Sequence, residues 1–343
     1  MLDNPAPSTY DTITISFFHQ TSAVWYGNFQ LFKTLIEAPM RRNLFIFTGF
    51  LLLALPQFLF AQSRTVAVLT PFLAQPGTQL MVEGFEATAK SKGWQVDVID
   101  TSGDVAALVS RMEDVALQKV DAMVINVDPS QIRNGLLAAK DAEIPVFGMD
   151  SGADPLLTAN VTSNGYVMAA ETATYLVDQL NGKGNVVMFI FEPYPPVQKR
   201  GAIAESIFNN EPDINIMEKI TPSFDRGPLE GARNAMEAVL TANPAKGSIQ
   251  AVWAAWDDPA LGAEQAIRDA GREDEGIVIV GIDATEQARD RIAARGNLKA
   301  TVAQDFTGIA NTVANTVEQY LQSGSVSRSQ IYVSAKLVTA DDL

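Results

Sequence analysis

Six polar segments end short apolar runs in this chain: Thr70-Pro71-Phe72-Leu73-Ala74-Gln75, Asn126-Val127-Asp128, Met149-Asp150-Ser151, Trp256-Asp257-Asp258, Gly281-Ile282-Asp283 and Ala303-Gln304-Asp305. Gathered carboxylates and amides support two chemistries. Two of Asp150, Asp257, Asp258 and Asp283 could form an acid/base pair of the kind that cleaves glycosides. The same groups equally serve as hydrogen-bond acceptors around a polyol, and no sequence feature marks a raised carboxyl pKa. Asp258 reads instead as a helix cap, because Pro259 beside it suits a first-turn position. The chain has no cysteine and one histidine, His19. If residues 1–61 are removed, neither type remains, which excludes zinc sites, Ser-His-Asp triads and cysteine nucleophiles. No Asp-x-Asp-x-Asp-Gly calcium loop and no Walker motif occur, so neither a metal nor a cofactor is expected.

These polar ends must be held by regular elements. Val/Ile-rich runs predict strands at 65–70, 95–100, 122–126, 146–149, 186–191, 215–220, 251–255, 277–282 and 300–303. Amphipathic segments between them predict helices at 80–92, 105–119, 131–141, 168–180, 228–242, 259–270 and 308–321. Continuously apolar strands separated by helices imply parallel sheets covered on both faces. Gly93, Gly182, Gly271, Gly296 and Gly324 follow helical patterns, where a left-handed cap favours glycine. Gly182-Lys183-Gly184 is therefore a helix exit and no phosphate loop. So many strands exceed one comfortable core, and two α/β lobes are expected. Ligands of such sheets bind beyond the carboxyl ends of the strands, where the polar segments lie.

Met40 to Ser63 carries Arg41-Arg42, an apolar run from Leu44 to Phe60, and a small residue before a polar pair. That order is a secretory signal peptide, 40–61, with the processed chain starting at Gln62. Pro56 and the absence of a following basic cluster favour cleavage over a membrane anchor of roughly 20 residues. Residues 1–39 are expected to lie upstream of the true start, Met40, and the processed protein to work in the periplasm. Three basic groups (Lys33, Arg41, Arg42) and three acidic ones (Asp3, Asp11, Glu37) leave with residues 1–61, so the formal charge of −15 is unchanged. An acidic surface of this kind repels nucleic acid and anionic lipid.

From Arg64 to Leu343 the chain resembles the periplasmic sugar-binding proteins of ABC importers, of the ribose-binding type. The resemblance rests on Gly84-Phe85, Asn126-Val127-Asp128, Ile144-Pro145-Val146, Met149-Asp150, Lys199-Arg200-Gly201, Ser223-Phe224-Asp225-Arg226, Trp256 to Ala263, Gly281-Ile282-Asp283 and Ala300 to Gln304, in that order. It implies two Rossmann-like α/β lobes with parallel sheets joined by a three-segment hinge, the type I periplasmic binding protein fold. The lobes would be 62–164 with 305–332, and 165–304 with 333–343. The crossings would fall near Ser163–Gly165, Gln304–Asp305 and Tyr332–Ser334. Carried over residue by residue, the sugar contacts would be Gln75, Asn126, Asp150, Arg200, Phe224, Asp257, Asp283 and Gln304. The implied protein is a non-enzymatic, monomeric clamp that delivers its cargo to an ABC permease in the inner membrane.

The departures bear on cargo. Where ribose binders read Asn-Pro-Phe-Phe, this chain has Gln75-Pro76-Gly77-Thr78; where they read Leu-Asp-Arg, it has Met149-Asp150-Ser151. Ribose is thereby disfavoured. A hexose, deoxy sugar or polyol is expected, with Phe72, Tyr194 or Trp256 replacing the lost rings. Several acceptors against Arg200 alone argue for a neutral cargo over an acidic one. Three readings compete: a sensory protein presenting bound solute to a receptor kinase or chemoreceptor, a secreted glycosidase, and a LacI-type regulator. The last would need a helix-turn-helix where the signal peptide stands.

Overall fold

The computed structural model describes residues 63–343; the signal peptide, the candidate start at Met40 and the upstream segment lie outside the described residues. The chain opens with β1 (Thr65–Thr70), α1 (Pro76–Ser91), β2 (Gln95–Asp100), α2 (Val105–Gln118) and β3 (Ala122–Ile125). A 3-10 turn, α3 (Arg133–Asp141), β4 (Val146–Met149) and β5 (Ala159–Ser163) follow. Then come α4 (Gly165–Gln179), β6 (Lys183–Phe189), α5 (Pro195–Asn209), β7 (Asp213–Ile220), α6 (Pro228–Ala242), β8 (Ala251–Ala254) and α7 (Asp257–Asp269). The last elements are β9 (Val278–Val280), α8 (Glu286–Ala293), β10 (Leu298–Gln304), α9 (Phe306–Ser323), β11 (Gln330–Val333) and β12 (Ala335–Thr339).

Two six-stranded sheets result, ordered β11-β5-β4-β3-β1-β2 and β12-β10-β9-β8-β6-β7. Central strands such as β3 (AMVI) and β8 (AVWA) are buried at every residue, as strands covered on both faces require. The edge strands β2 and β7 carry the polar residues. Each sheet is a sandwich. In the first lobe, one core packs α1 and α9 through Phe85, Ile309, Val313 and Val317; the opposite core packs Leu108, Met112 and Leu136 of α2 and α3. In the second lobe, α6, α7 and α8 cover one face, while α4 and α5 cover the other around Trp253 and Phe208. The pairing is parallel throughout except for β10 with β12, which run antiparallel.

The chain passes from the first sheet to the second between β5 and α4, returns between β10 and α9, and passes again between β11 and β12. Single residues carry these passages: Asn164, Asp305 and Ser334. Two of them also cap the helix they enter, Asn164 accepting from Tyr166 and Val167 N–H, and Asp305 accepting from Gly308 N–H at 2.7 Å.

Some elements depart from the sequence reading. α1 starts at Pro76 rather than Leu80, because Pro76 sits at the first helical position, where its missing N–H costs nothing. α5 and α8 were not expected, nor were β5, β11 and β12. β5 is half polar, and its buried Asn160 is held by Ser151, its Nδ2 donating to the Ser151 carbonyl at 2.8 Å. Gly296 does not take the left-handed conformation: Arg295 does, at φ 56°, and Gly296 is required because a Cβ there would meet Glu264 Oε1 at 2.8 Å.

Candidate functional site

A cleft lies between the lobes at the carboxyl ends of strands from both sheets. The first lobe supplies Phe72 and Gln75 after β1, Gly77, Thr78 and Met81 from α1, Asp150 after β4, and Phe306 opening α9. The second lobe supplies Phe191 and Tyr194 after β6, Val197 and Arg200 of α5, Phe224 after β7, Trp256 and Asp258 around the start of α7, Asp283 after β9 and Gln304 ending β10. Gly77 is needed for this wall, since a Cβ there would strike the Phe306 ring at 2.7 Å.

The polar residues are fixed by their neighbours. Asp150 stands at φ 52° and Asp283 at φ 135°, left-handed conformations uncommon for side-chain-bearing residues, and both strand ends thereby turn their carboxylates from the sheets. Asp150 accepts the Thr162 hydroxyl, and burial raises its pKa against the opposing pull of Arg200. Arg200, 2% exposed, donates from Nη1 to the Ala255 carbonyl at 2.8 Å and lies 3.5 Å from Asp283 Oδ1. Gln304 Nε2 donates to the same Asp283 oxygen at 2.6 Å. Burial holds the Asp283 carboxyl well above its usual range, with Arg200 opposing. Arg200 Nε and Gln304 Oε1 are buried without a hydrogen-bond partner among the described residues, and both residues face the cleft.

Tyr194 joins the lobes. Its hydroxyl donates to the Asp150 carbonyl and accepts from Asn126 Nδ2 at 3.0 Å, while its ring meets Phe72 edge-on at 5.6 Å. Burial, then the Asp150 charge, push its pKa well above the phenol's ordinary value, so it stays a donor. At the other end of the cleft, Phe224 and Trp256 stack 24° from parallel at 6.2 Å, and Phe191 lies 4.9 Å from Phe224.

Of the residues expected at the site, Gln75, Asp150, Arg200, Phe224, Trp256, Asp283 and Gln304 line the cleft, while Asn126 and Asp257 do not. Asn126 is 1% exposed, and all its hydrogen bonds are internal: Nδ2 donates to Met149 O and Tyr194, and Oδ1 accepts from Thr70 and Thr78. It positions Tyr194. Asp257 is fully buried, accepting from Thr285 N–H at 2.8 Å, the Thr285 hydroxyl at 3.1 Å and the Thr301 hydroxyl at 2.7 Å. It pins α7 to the entry of α8 and to β10.

Asp258, read from sequence as a cap, makes no capping bond: Trp256 is the N-cap residue, so Asp258 falls inside the first turn and faces the cleft. Phe191, Val197, Met81 and Phe306 were not anticipated. Phe306 alone carried a usable signal, as the first residue after the Gln304-Asp305 crossing. Among the described residues no cluster of His, Cys, Asp and Glu could hold a metal ion, and no helix is long and apolar enough to cross a membrane.

A two-lobed fold with a cleft walled by aromatic rings, carboxylates and one arginine defines a small-solute binding protein. Residues 66–325 match the family described as periplasmic binding protein domain, and the chain belongs to that family, which is one of binding proteins. It is 27% identical over 282 residues to the D-apiose import binding protein of Actinobacillus succinogenes, covering 81% of this chain and 88% of that one. It is 29% identical to a ribose import binding protein of Bacillus subtilis (77% and 84% covered). Among solved structures, an ABC transporter solute binding protein from Agrobacterium vitis with bound allitol superposes with a TM-score of 0.75 at 27% identity, covering 81% of this chain and 96% of that one. An ABC sugar transporter subunit from Rhodobacter sphaeroides gives 0.75 at 26%, covering 81% and 98%.

Proposed function

We propose that this protein is exported to the periplasm, captures a sugar or polyol by closing its lobes, and delivers it as a monomer to an ABC permease. The observation that carries the reading is the pair of buried, unpartnered polar atoms facing the cleft, Arg200 Nε as donor and Gln304 Oε1 as acceptor. A hydroxyl both donates and accepts, so one cargo hydroxyl group satisfies either atom, and leaving such groups unpaired costs about 1–3 kcal/mol each. The aromatic walls suit the C–H faces of a sugar ring. The relatives named above are import binding proteins, which supports an importer as the partner. Asp150 from the first lobe and Arg200, Asp283 and Gln304 from the second are the proposed cargo contacts, with Asn164, Asp305 and Ser334 as the hinge.

The test is a thermal-shift screen against pentoses, hexoses, deoxy sugars, polyols and sugar acids. A cargo at about a hundred times its Kd stabilises by roughly 2.7 kcal/mol, enough to move the melting point by several degrees. Alanine at Asp150, Arg200 or Asp283 is expected to abolish the shift while each variant still melts cooperatively. Undiminished binding in all three would overturn the site assignment.

A further inference from the structure

The cleft is rich in acceptors and poor in donors. Arg200 is taken up by Asp283 at 3.5 Å and by the Ala255 carbonyl, and Asp150 is met by Thr162 and Tyr194. Asp258 differs from both: it is partly buried, and its side chain makes no hydrogen bond and no ion pair among the described residues. It stands two residues after Trp256, in the cleft that Phe191, Phe224 and Trp256 also line. A carboxylate without a donor is costly in an apolar setting, and the electron-rich faces of neighbouring rings do nothing to offset an anion. Both features favour one kind of partner. A cation pairs with the carboxylate and is attracted to the ring faces.

We infer that the cargo carries a protonated amine, as an amino sugar or amino-polyol does, seated between the Asp258 carboxylate and the wall of Phe191, Phe224 and Trp256. The inference rests on the cleft being the cargo site proposed above, and it narrows the sugar or polyol reading to members that carry one amine. The hydroxylated remainder of the molecule then faces Arg200 Nε, Gln304 Oε1 and Asp150. A neutral hydroxyl in the amine's place could donate to Asp258, but it would leave the charge of that carboxylate without a counterion. Burial and the nearby Asp257 push the Asp258 carboxyl up to about 6, as expected of a charge that lacks its counterion.

Calorimetric titration of the protein with matched pairs tests this: D-glucosamine against D-glucose, D-galactosamine against D-galactose, D-mannosamine against D-mannose, and 1-amino-1-deoxy-D-sorbitol against D-sorbitol, at pH 7. In at least one pair the amine is expected to bind ten-fold or more tightly than its hydroxyl counterpart. Asp258→Asn, which keeps the shape and removes the charge, is expected to bring that ratio close to one. Phe224→Leu, which keeps the wall apolar but removes a ring face, is expected to lower it several-fold. Neutral members binding as well as or better than the amines would overturn the amine inference and leave the sugar or polyol reading standing. Failure of every compound to bind would overturn both, and an unchanged ratio in Asp258→Asn would overturn the role of that residue.

Discussion

Asp258 shows how one carboxyl can couple stability to acidity. With its pKa raised to about 6 in the folded chain from 3.8, it holds its proton in the folded state over a range where the unfolded chain has already released it. Stability therefore falls as pH rises from about 4 to about 6, and the penalty, at most about 3 kcal/mol, persists above that window. Asp258→Asn is expected to melt a few degrees higher than wild type at pH 7 and to converge with it near pH 4. Parallel melting profiles across that range would refute the assignment. The residue also marks where sequence reading runs out. In Trp256-Asp257-Asp258 each step around the incoming helix turns the side chain by about a hundred degrees, so adjacent aspartates have opposite fates. One is locked beneath the site by Thr285 and Thr301, and the other faces the cleft. Residue type alone does not choose between them. The place of Arg200 and Asp283 in the cleft was legible because the resemblance put each in a motif, whereas Met81 and Val197 belong to helix faces whose direction only packing fixes.

The helices and strands that deliver these residues were mostly visible in apolar periodicity, and the exceptions share a cause. β5 pairs with neighbours on both sides yet carries Asn160 and Thr162, whose burial is made tolerable by side-chain hydrogen bonds that no hydropathy pattern records. α5 begins at Pro195-Pro196, and the charged Arg200 lies within its buried stripe of Val197, Ala204 and Phe208, which breaks the apolar period. One such bond fixes an element to its sheet: Trp253 Nε1 of β8 donates to Thr172 Oγ1 of α4 at 3.0 Å, both residues fully buried. Thr172→Val keeps the shape and leaves the indole N–H unpaired, with an expected loss of about 1–3 kcal/mol by denaturant unfolding. A change below about 0.5 kcal/mol would show that α4 is held by apolar packing alone.

At the scale of the whole molecule, Tyr194 ties the second lobe to Asn126 and Asp150 of the first. Removing its hydroxyl in Tyr194→Phe deletes bonds worth about 0.5–1.5 kcal/mol each. The cargo-free protein is then expected to show a larger radius of gyration by X-ray scattering, with cargo affinity reduced several-fold. Identical scattering from both proteins would mean that the hydroxyl does not govern closure. The passages at Asn164, Asp305 and Ser334 have a consequence of another kind. The core of the first lobe includes Ile309, Val313 and Val317 of α9, and its sheet includes β11, all of which follow the whole second lobe in the chain except its last strand, β12. A ribosome making this protein from its amino end therefore cannot finish the first lobe until nearly the last residue has emerged. Contacts between α1 and α9 close a loop of more than two hundred residues, a slow event in chain collapse. An unfinished, threadable polypeptide is what a secretion channel accepts, so the interwoven order of the lobes would suit the export proposed above.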